Sequence, residues 1–130
     1  MTNQELIANA KEVMTKAYAP YSHFQVGAAL LAKDGRVFTG CNVENATYGA
    51  TICAERTAVT KAVSEGVREF EKIAIVASSG DYAAPCGICR QVLFEFMPEG
   101  KVVLWSELEG EKEFALTELL PFGFRGEDIK

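Results

Sequence analysis

Between Lys72 and Ser78 the sequence reads Ile73-Ala74-Ile75-Val76-Ala77, an unbroken apolar run. A strand with one face in water shows polar residues at alternate positions, and this run shows none. The run is therefore typical of a strand that is covered on both faces. We predict that it lies at the centre of a sheet.

The segments that follow this strand predict a crossover connection. A loop over 79–85 leads into a helix over 86–97, which Pro98 and Gly100 end, and another strand follows over 102–105. The order strand, helix, strand predicts a parallel, right-handed crossover. The connection over 106–111 is too short for a second crossover, so a last strand near 113–116 should run antiparallel to its neighbour. One helical turn over 117–120 is expected after it.

The first half of the chain predicts two helices around a hairpin. Thr2 and Glu5 have the spacing of a capping box and begin a helix over about 2–18, which Pro20 ends. The apolar segments 24–32 and 37–43 flank a turn and predict a β-hairpin. An irregular loop over 44–51 precedes a helix over 53–65, which Gly66 closes.

Together these elements predict an α/β fold, a three-layer α/β/α sandwich with a mixed five-stranded sheet whose last strand is antiparallel. A chain of 130 residues, 48% of them hydrophobic, is expected to form a single domain over 1–130. Its formal charge of −5 disfavours a nucleic-acid partner. No secretory leader or membrane span is visible, so we expect a cytoplasmic protein without a membrane partner.

The spacing of the cysteines indicates a metal site. The chain has four cysteines, which in a cytoplasmic protein are thiols or metal ligands more often than disulfides. Cys86 and Cys89 lie three residues apart at a predicted helix start, so both can contact one metal ion. A dithiol redox pair is the alternative, because cysteines at helix starts have a lowered pKa.

A second predicted helix start carries Cys53, Glu55 and Arg56. Three thiolates leave one position of a zinc ion open, which is typical of a catalytic site, because water bound there becomes more acidic. A structural zinc site would need a fourth ligand, and Cys41 and His23 are the candidates. Cys41 lies in a predicted strand and is expected to be a small buried hydrophobic residue, and His23 is expected on a loop.

The charge of such a site calls for a compensating cation. Three thiolates around Zn²⁺ carry a formal charge of −1, and Arg56 lies three residues after Cys53 on the same helical face. We hypothesise that Arg56 donates hydrogen bonds to the thiolates; a surface arginine paired with an acid is the alternative.

Glu55 and Cys53 can face one site only if Cys53 lies at or before the first turn. Without the cysteines, Glu55 would be interpreted as a solvated carboxylate at a helix start.

Cys53-Ala54-Glu55 followed by Pro85-Cys86-Gly87-Ile88-Cys89 matches the zinc deaminase signature in an all-cysteine form. Four stretches, one of which extends the Cys53 motif, resemble the small nucleoside cytidine deaminases and are spread over nearly the whole chain. The sequences are Phe24-Gln25-Val26-Gly27-Ala28-Ala29-Leu30, Asn42-Val43-Glu44-Asn45, Cys53-Ala54-Glu55-Arg56-Thr57-Ala58 and Cys89-Arg90-Gln91.

The resemblance implies a zinc-dependent hydrolase that converts cytidine and deoxycytidine to uridine and deoxyuridine and releases ammonia. Cys53, Cys86 and Cys89 would hold one Zn²⁺ per subunit, and Glu55 would be the catalytic proton carrier. Within the superfamily, a blasticidin-type or a nucleic-acid deaminase is the nearer competing interpretation, and the acidic charge and compact length argue against the nucleic-acid deaminase. A structural zinc module without catalytic activity is the competitor outside it.

The resemblance also implies a set of substrate contacts. Asn42 and Glu44 would bind the ribose 3′-hydroxyl, with Val43 between them in the same loop. Phe24 would flank the pyrimidine, and the backbone of Ala54 would hold the base.

Further implied residues lie at subunit boundaries or behind the metal ligands. The implied assembly is a homotetramer whose sites are completed by neighbouring subunits. Phe124 would stack on the base in a neighbour's site, although Phe122 could take this role or be a core residue. Tyr48 resembles an intersubunit loop residue. Arg56 and Gln91 would lie just behind the metal ligands.

Overall fold

The computed structural model describes residues 1–129. The strands are β1 (Val26–Ala32), β2 (Val37–Cys41), β3 (Phe70–Ala77), β4 (Lys101–Ser106) and β5 (Gly110–Ala115). The α-helices are α1 (Asn3–Met14), α2 (Ala54–Ser64), α3 (Gly87–Phe96) and α4 (Leu116–Leu119), and two 3₁₀ turns lie at Tyr48–Ala50 and Gly126–Ile129. In the described part of the chain, no helix has the length and apolar character needed to cross a bilayer.

The strands form one five-stranded sheet in the order β2-β1-β3-β4-β5. Strand β1 pairs antiparallel with β2 and β3, and β3 pairs parallel with β4. Strand β5 runs antiparallel to β4, with Lys101 opposite Ala115 and Ser106 opposite Gly110. The prediction of a mixed sheet with a central apolar strand and an antiparallel last strand is confirmed.

The central strand β3 packs against helices on both of its faces. Ile73 and Ile75 belong to a buried cluster with residues of α2 and α3, whereas Ala74 and Val76 belong to a second cluster with residues of α1. Side chains of a strand point alternately to opposite faces, so a strand buried on both sides has no polar positions. This explains the unbroken apolar run and confirms the three-layer α/β/α arrangement.

Helix α1 is shorter than its periodicity predicts. The capping box is present: Thr2 Oγ1 accepts from the amide of Glu5, and Glu5 Oε1 accepts from the amide of Thr2, both at 3.1 Å. The helix ends at Met14 rather than near residue 18 because the chain turns away. The amide of Tyr18 donates to the carbonyl of Asn42 at 3.0 Å, so this segment joins the loop after β2.

Strand β5 begins at Gly110, three residues before the predicted start, and Leu116 already belongs to α4. It is an edge strand, and its first four residues, Gly110-Glu111-Lys112-Glu113, are exposed. Because these four residues bury no face, they show no alternation of apolar and polar residues. Periodicity could not locate its beginning.

Gly40 sets the distance between β2 and the beginning of α2. A Cβ atom at this position would lie 2.5 Å from the amide nitrogen of Ala58 and 2.6 Å from the carbonyl oxygen of Ala54. Only a residue without a side chain permits this close approach of helix and strand. The first turn of α2 is thereby held directly against the sheet, which positions the residues at its N-terminus.

Candidate active site

The N-termini of α2 and α3 bring three thiols together. Cys53 is the N-cap residue of α2 and Cys86 is the N-cap residue of α3, while Cys89 lies in the first turn of α3. The Sγ atoms of these three residues all lie within 4.8 Å of one another. Both helices pack on the same face of the sheet, so residues 33 positions apart in sequence (86 − 53) meet at one point.

The three thiols fit a zinc ion. Tetrahedral zinc binds thiolates at about 2.3 Å, which places neighbouring sulfurs just under about 4 Å apart. The observed cluster requires little adjustment to reach that spacing. Within residues 1–129, no histidine, further cysteine or carboxylate joins the three thiols as a fourth ligand. Cys41 and His23 lie outside the group. Three protein ligands and one open position is the donor set of a catalytic zinc site.

Arg56 and the two helix dipoles place positive charge beside the thiols. Nη2 of Arg56 lies 3.5 Å from Sγ of Cys53 and also donates to the carbonyl of Thr51 at 3.3 Å. Hydrogen bonds from Cys89 and then Arg56 hold the pKa of Cys53 down to about 5 against the opposing effect of burial. Cys89 is the donor toward Cys53, and its pKa is raised by this bond and by burial. The site therefore favours thiolate at Cys53.

Glu55 is buried beside the thiols, with 5% of its surface exposed. It is the second residue of α2, and Cys53 can face the same cavity because its extended backbone lies before the first helical turn. Burial, and after it the charge of Cys53, raises the pKa of the Glu55 carboxyl. The predicted placement of Cys53 at or before the first turn is confirmed.

A cavity of about 260 Å³ opens beside these groups. Besides Glu55, six of the predicted site residues line it, whereas the ligand Cys89 does not: Phe24, Asn42, Glu44, Cys53, Ala54 and Cys86. Its other lining residues are Ser22, Val26, Thr51, Ile75, Ala83 and Ala84, and Glu55 completes the wall. The cavity thus joins a cluster of thiols, a buried carboxyl group and a polar loop in one small-molecule site.

Asn42 and Glu44 are held by hydrogen bonds to the segment 21–26, which leads into β1. Nδ2 of Asn42 donates to the carbonyl of Phe24 at 2.8 Å, and Oδ1 accepts from the amide of Val26 at 2.9 Å. Oε1 of Glu44 accepts from the amides of Tyr21 and Ser22 at 3.0 and 3.1 Å. Both side chains are therefore fixed before any ligand binds.

The remaining predicted site residues lie outside the cavity wall. Val43 forms a two-way backbone bridge with Ile52 at 2.9 Å, and Tyr48 is 75% exposed. The amide of Gln91 bonds to the backbone of Phe124 at 2.8 and 3.2 Å rather than to a thiol. Gln91 therefore ties the C-terminal segment to α3, the helix that carries Cys89.

Sequence reasoning missed several residues of the site. Ala83 and Ala84 line the cavity, and their position directly before Pro85-Cys86 could have indicated this. Arg90 donates to the carbonyls of Pro85 and Leu119, both at 2.7 Å, and so fixes the loop that carries Cys86. Ser22 contacts Glu44 across 22 positions, and no local pattern signals such a contact.

The sequence matches a known family over most of its length. The family model described as "Cytidine and deoxycytidylate deaminase zinc-binding region" matches residues 1–105. A cytidine deaminase of Sporosarcina psychrophila is 48% identical over 130 residues, which cover 99% of this chain and 96% of the relative. A cytidine deaminase of Halalkalibacterium halodurans is 51% identical over 130 residues, with coverage of 99% and 98%.

Solved structures of cytidine deaminases are also similar to this chain. The crystal structure of cytidine deaminase from Burkholderia pseudomallei has a TM-score of 0.91 and 50% sequence identity, covering 95% of this chain and all of that one (100%). Cytidine deaminase from Mycobacterium tuberculosis has a TM-score of 0.83 and 41% identity, with coverage of 95% and 98%. With its cluster of three cysteines compatible with one zinc ion per chain, this protein belongs to the zinc-binding cytidine and deoxycytidylate deaminase family.

Proposed function

We propose that this enzyme hydrolyses cytidine and deoxycytidine to uridine and deoxyuridine and releases ammonia. The observation that carries the proposal is the shared cavity, in which Glu55 lies beside the thiols and Glu44 supplies a second, differently held carboxylate. Relatives named cytidine deaminases, about half identical to this chain over nearly its full length, support the choice of substrate. We place this activity in the cytoplasm, where free thiols such as that of Cys41 stay reduced.

Cys53, Cys86 and Cys89 are the proposed ligands of one Zn²⁺ ion per subunit. A zinc ion held by these three thiolates would make a water molecule more acidic and so supply the nucleophile. The three thiolates give the site a net negative charge, which would weaken this effect. Arg56 at 3.5 Å from Cys53 and the positive ends of α2 and α3 offset that charge.

Glu55 is the proposed proton carrier. Its carboxylate takes a proton from the attacking water and delivers it to N3 of the cytosine ring, while the water oxygen bonds to C4. It then delivers the second water proton to the amino group on C4, the C4–N bond breaks and ammonia leaves. One buried carboxyl group thus serves first as base and then as acid. This role requires that Glu55 can reach both N3 and the amino nitrogen on C4.

The other cavity residues are proposed to bind the nucleoside. Phe24 flanks the pyrimidine, the backbone of Ala54 holds the base, and Asn42 and Glu44 bind the ribose 3′-hydroxyl. Val43 contributes through the backbone bridge that fixes this loop. A phosphate at the same place would meet the charge of Glu44, so the site favours a nucleoside over a nucleotide.

The proposed assembly is a homotetramer in which neighbouring subunits complete each site. Tyr48 and Phe124 are 75% and 55% exposed, and both lie outside the cavity wall of their own chain. Phe122 is fully exposed at 106% and has a φ angle of 58°, in the left-handed region. Large aromatic side chains held on the surface in this way are typical of interface residues.

We expect Cys86→Ala to lower both the zinc content and the activity. Two thiolates with a water-filled third position bind zinc far more weakly than three. The measurement is zinc per chain by elemental analysis after dialysis against a mild chelator. Cys41→Ala is the matched control and should keep a full complement; a full complement in Cys86→Ala would contradict the ligand assignment.

Glu55→Gln should retain zinc and lose turnover. The amide keeps the shape of the side chain but cannot accept and return a proton, so kcat should fall by at least about a hundredfold. Initial rates with cytidine and zinc content are measured on the same preparation. Glu12→Gln, on the exposed side of α1, is the control. Turnover within a few-fold of the unchanged protein would exclude Glu55 as the proton carrier.

Substrate range is tested with four compounds: cytidine, deoxycytidine, cytidylate and blasticidin S. Ammonia release is followed separately for each. We expect release from the two nucleosides and little from cytidylate, because its phosphate adds negative charge near Glu44. Release from blasticidin S alone would favour a blasticidin-type deaminase, and release from none would favour a structural zinc module.

Light scattering tests the assembly. We expect a particle of four chains in solution, each of 14.2 kDa. Phe124→Ala should lower activity without lowering zinc content, because the residue would act in a neighbouring site. A fully active monomer would rule out both the tetramer and the shared role of Phe124.

A further inference from the structure

The carboxylate of Glu44 is held by three donors from one short segment. The amides of Tyr21 and Ser22 donate to Oε1, and the hydroxyl of Ser22 donates to Oε2. A carboxylate has roughly four lone-pair sites, so three donors leave about one for a ligand in the cavity. Glu44 is thus an acceptor with a fixed direction.

Ser22 connects two residues that line the cavity. Its hydroxyl donates to Oε2 of Glu44 and accepts from the amide of Phe24 at 3.0 Å. A hydroxyl has one proton, so this proton is committed to Glu44. In the described part of the chain, Ser22 is the one residue whose side chain donates to Glu44. The Ser22 hydroxyl is also the first cause of the lowered pKa of Glu44.

The segment around Ser22 is held by its backbone independently of the hydroxyl. The amide of His23 donates to the carbonyl of Ala19 at 3.0 Å, and His23 has a φ angle of 58°. The amide of Glu44 donates to the carbonyl of Tyr18 at 2.8 Å. Removal of the Ser22 hydroxyl therefore leaves these backbone bonds in place, and it releases one oxygen of the Glu44 carboxylate and the amide of Phe24.

We propose that Ser22 is a positioning residue of the ribose subsite, whose hydroxyl turns Glu44 toward the 3′-hydroxyl of a bound nucleoside. This inference rests on the proposed function, in which Glu44 accepts that hydroxyl. Ser22 acts through Glu44 and takes no part in the chemistry at C4. Its loss should therefore weaken binding of the sugar and leave the chemical step unchanged.

The test compares steady-state kinetics of Ser22→Ala with two substrates, cytidine and 3′-deoxycytidine. For cytidine we expect KM to rise about tenfold, the effect of losing one hydrogen bond to a charged group, with kcat within about twofold. For 3′-deoxycytidine, which lacks the hydroxyl that Glu44 accepts, the variant and the unchanged enzyme should have the same KM. Ser64→Ala, which removes an exposed hydroxyl that donates to the carbonyl of Lys61, is the matched control.

A pair of isosteric variants separates the hydroxyl from the shape of the side chain. Ser22→Thr keeps the hydroxyl and should retain a KM near that of the unchanged enzyme. Ser22→Val has nearly the same shape as threonine, lacks the hydroxyl and should match Ser22→Ala. Equal KM values for the threonine and valine variants would overturn the proposal, whatever the fold stability of Ser22→Ala.

The outcomes also separate this inference from the proposed function. If the unchanged enzyme prefers cytidine to 3′-deoxycytidine and Ser22→Ala leaves KM unchanged, the role of Ser22 is overturned and that of Glu44 stands. A KM that rises equally for both substrates overturns it as well, since the effect would not pass through the 3′-hydroxyl. If the unchanged enzyme does not distinguish the two substrates, the proposed contact of Glu44 fails and the role of Ser22 fails with it.

Discussion

The meeting of two helix N-termini on one face of the sheet is the constraint on which the site depends. Helices α2 and α3 both pack against this face, and each begins with a cysteine as its N-cap residue. Close packing of α2 on β2 at Gly40 fixes how far its first turn stands from the sheet. Because thiolates repel one another, the cluster requires positive charge, which Arg56 and the two dipoles supply.

The polar side of the cavity is built in a different way. Its residues lie on irregular segments, and backbone bridges between Tyr18, Val43 and Ile52 take the place of helix or strand geometry. The side chains of Asn42 and Glu44 form some of their hydrogen bonds within the protein, to backbone groups near Phe24. A binding loop of this kind is rigid before a ligand arrives, which lowers the entropy lost on binding.

Most of the fold and the thiol cluster could be predicted from the sequence. The apolar run of β3 revealed its central position, and the spacing of the cysteines predicted their convergence, because both depend on local patterns. The end of α1 could not be predicted, because it depends on the pairing of Tyr18 with a loop that is distant in sequence. The beginning of β5 could not be predicted, because this strand buries little of its surface. Ser22 was missed for a related reason: its contact with Glu44 exists only in the folded chain.

The charged edge of the sheet limits how copies of this protein can associate. Among residues 1–129, no strand pairs with the outer edge of β5, which leaves one row of backbone donors and acceptors unpaired by strands, and its exposed sequence Glu111-Lys112-Glu113 alternates in sign. A second copy that added its own β5 would have to desolvate these charges along the new ladder, which makes continuous sheets between molecules unfavourable. Strand β5 is therefore a poor template for edge-to-edge pairing between molecules.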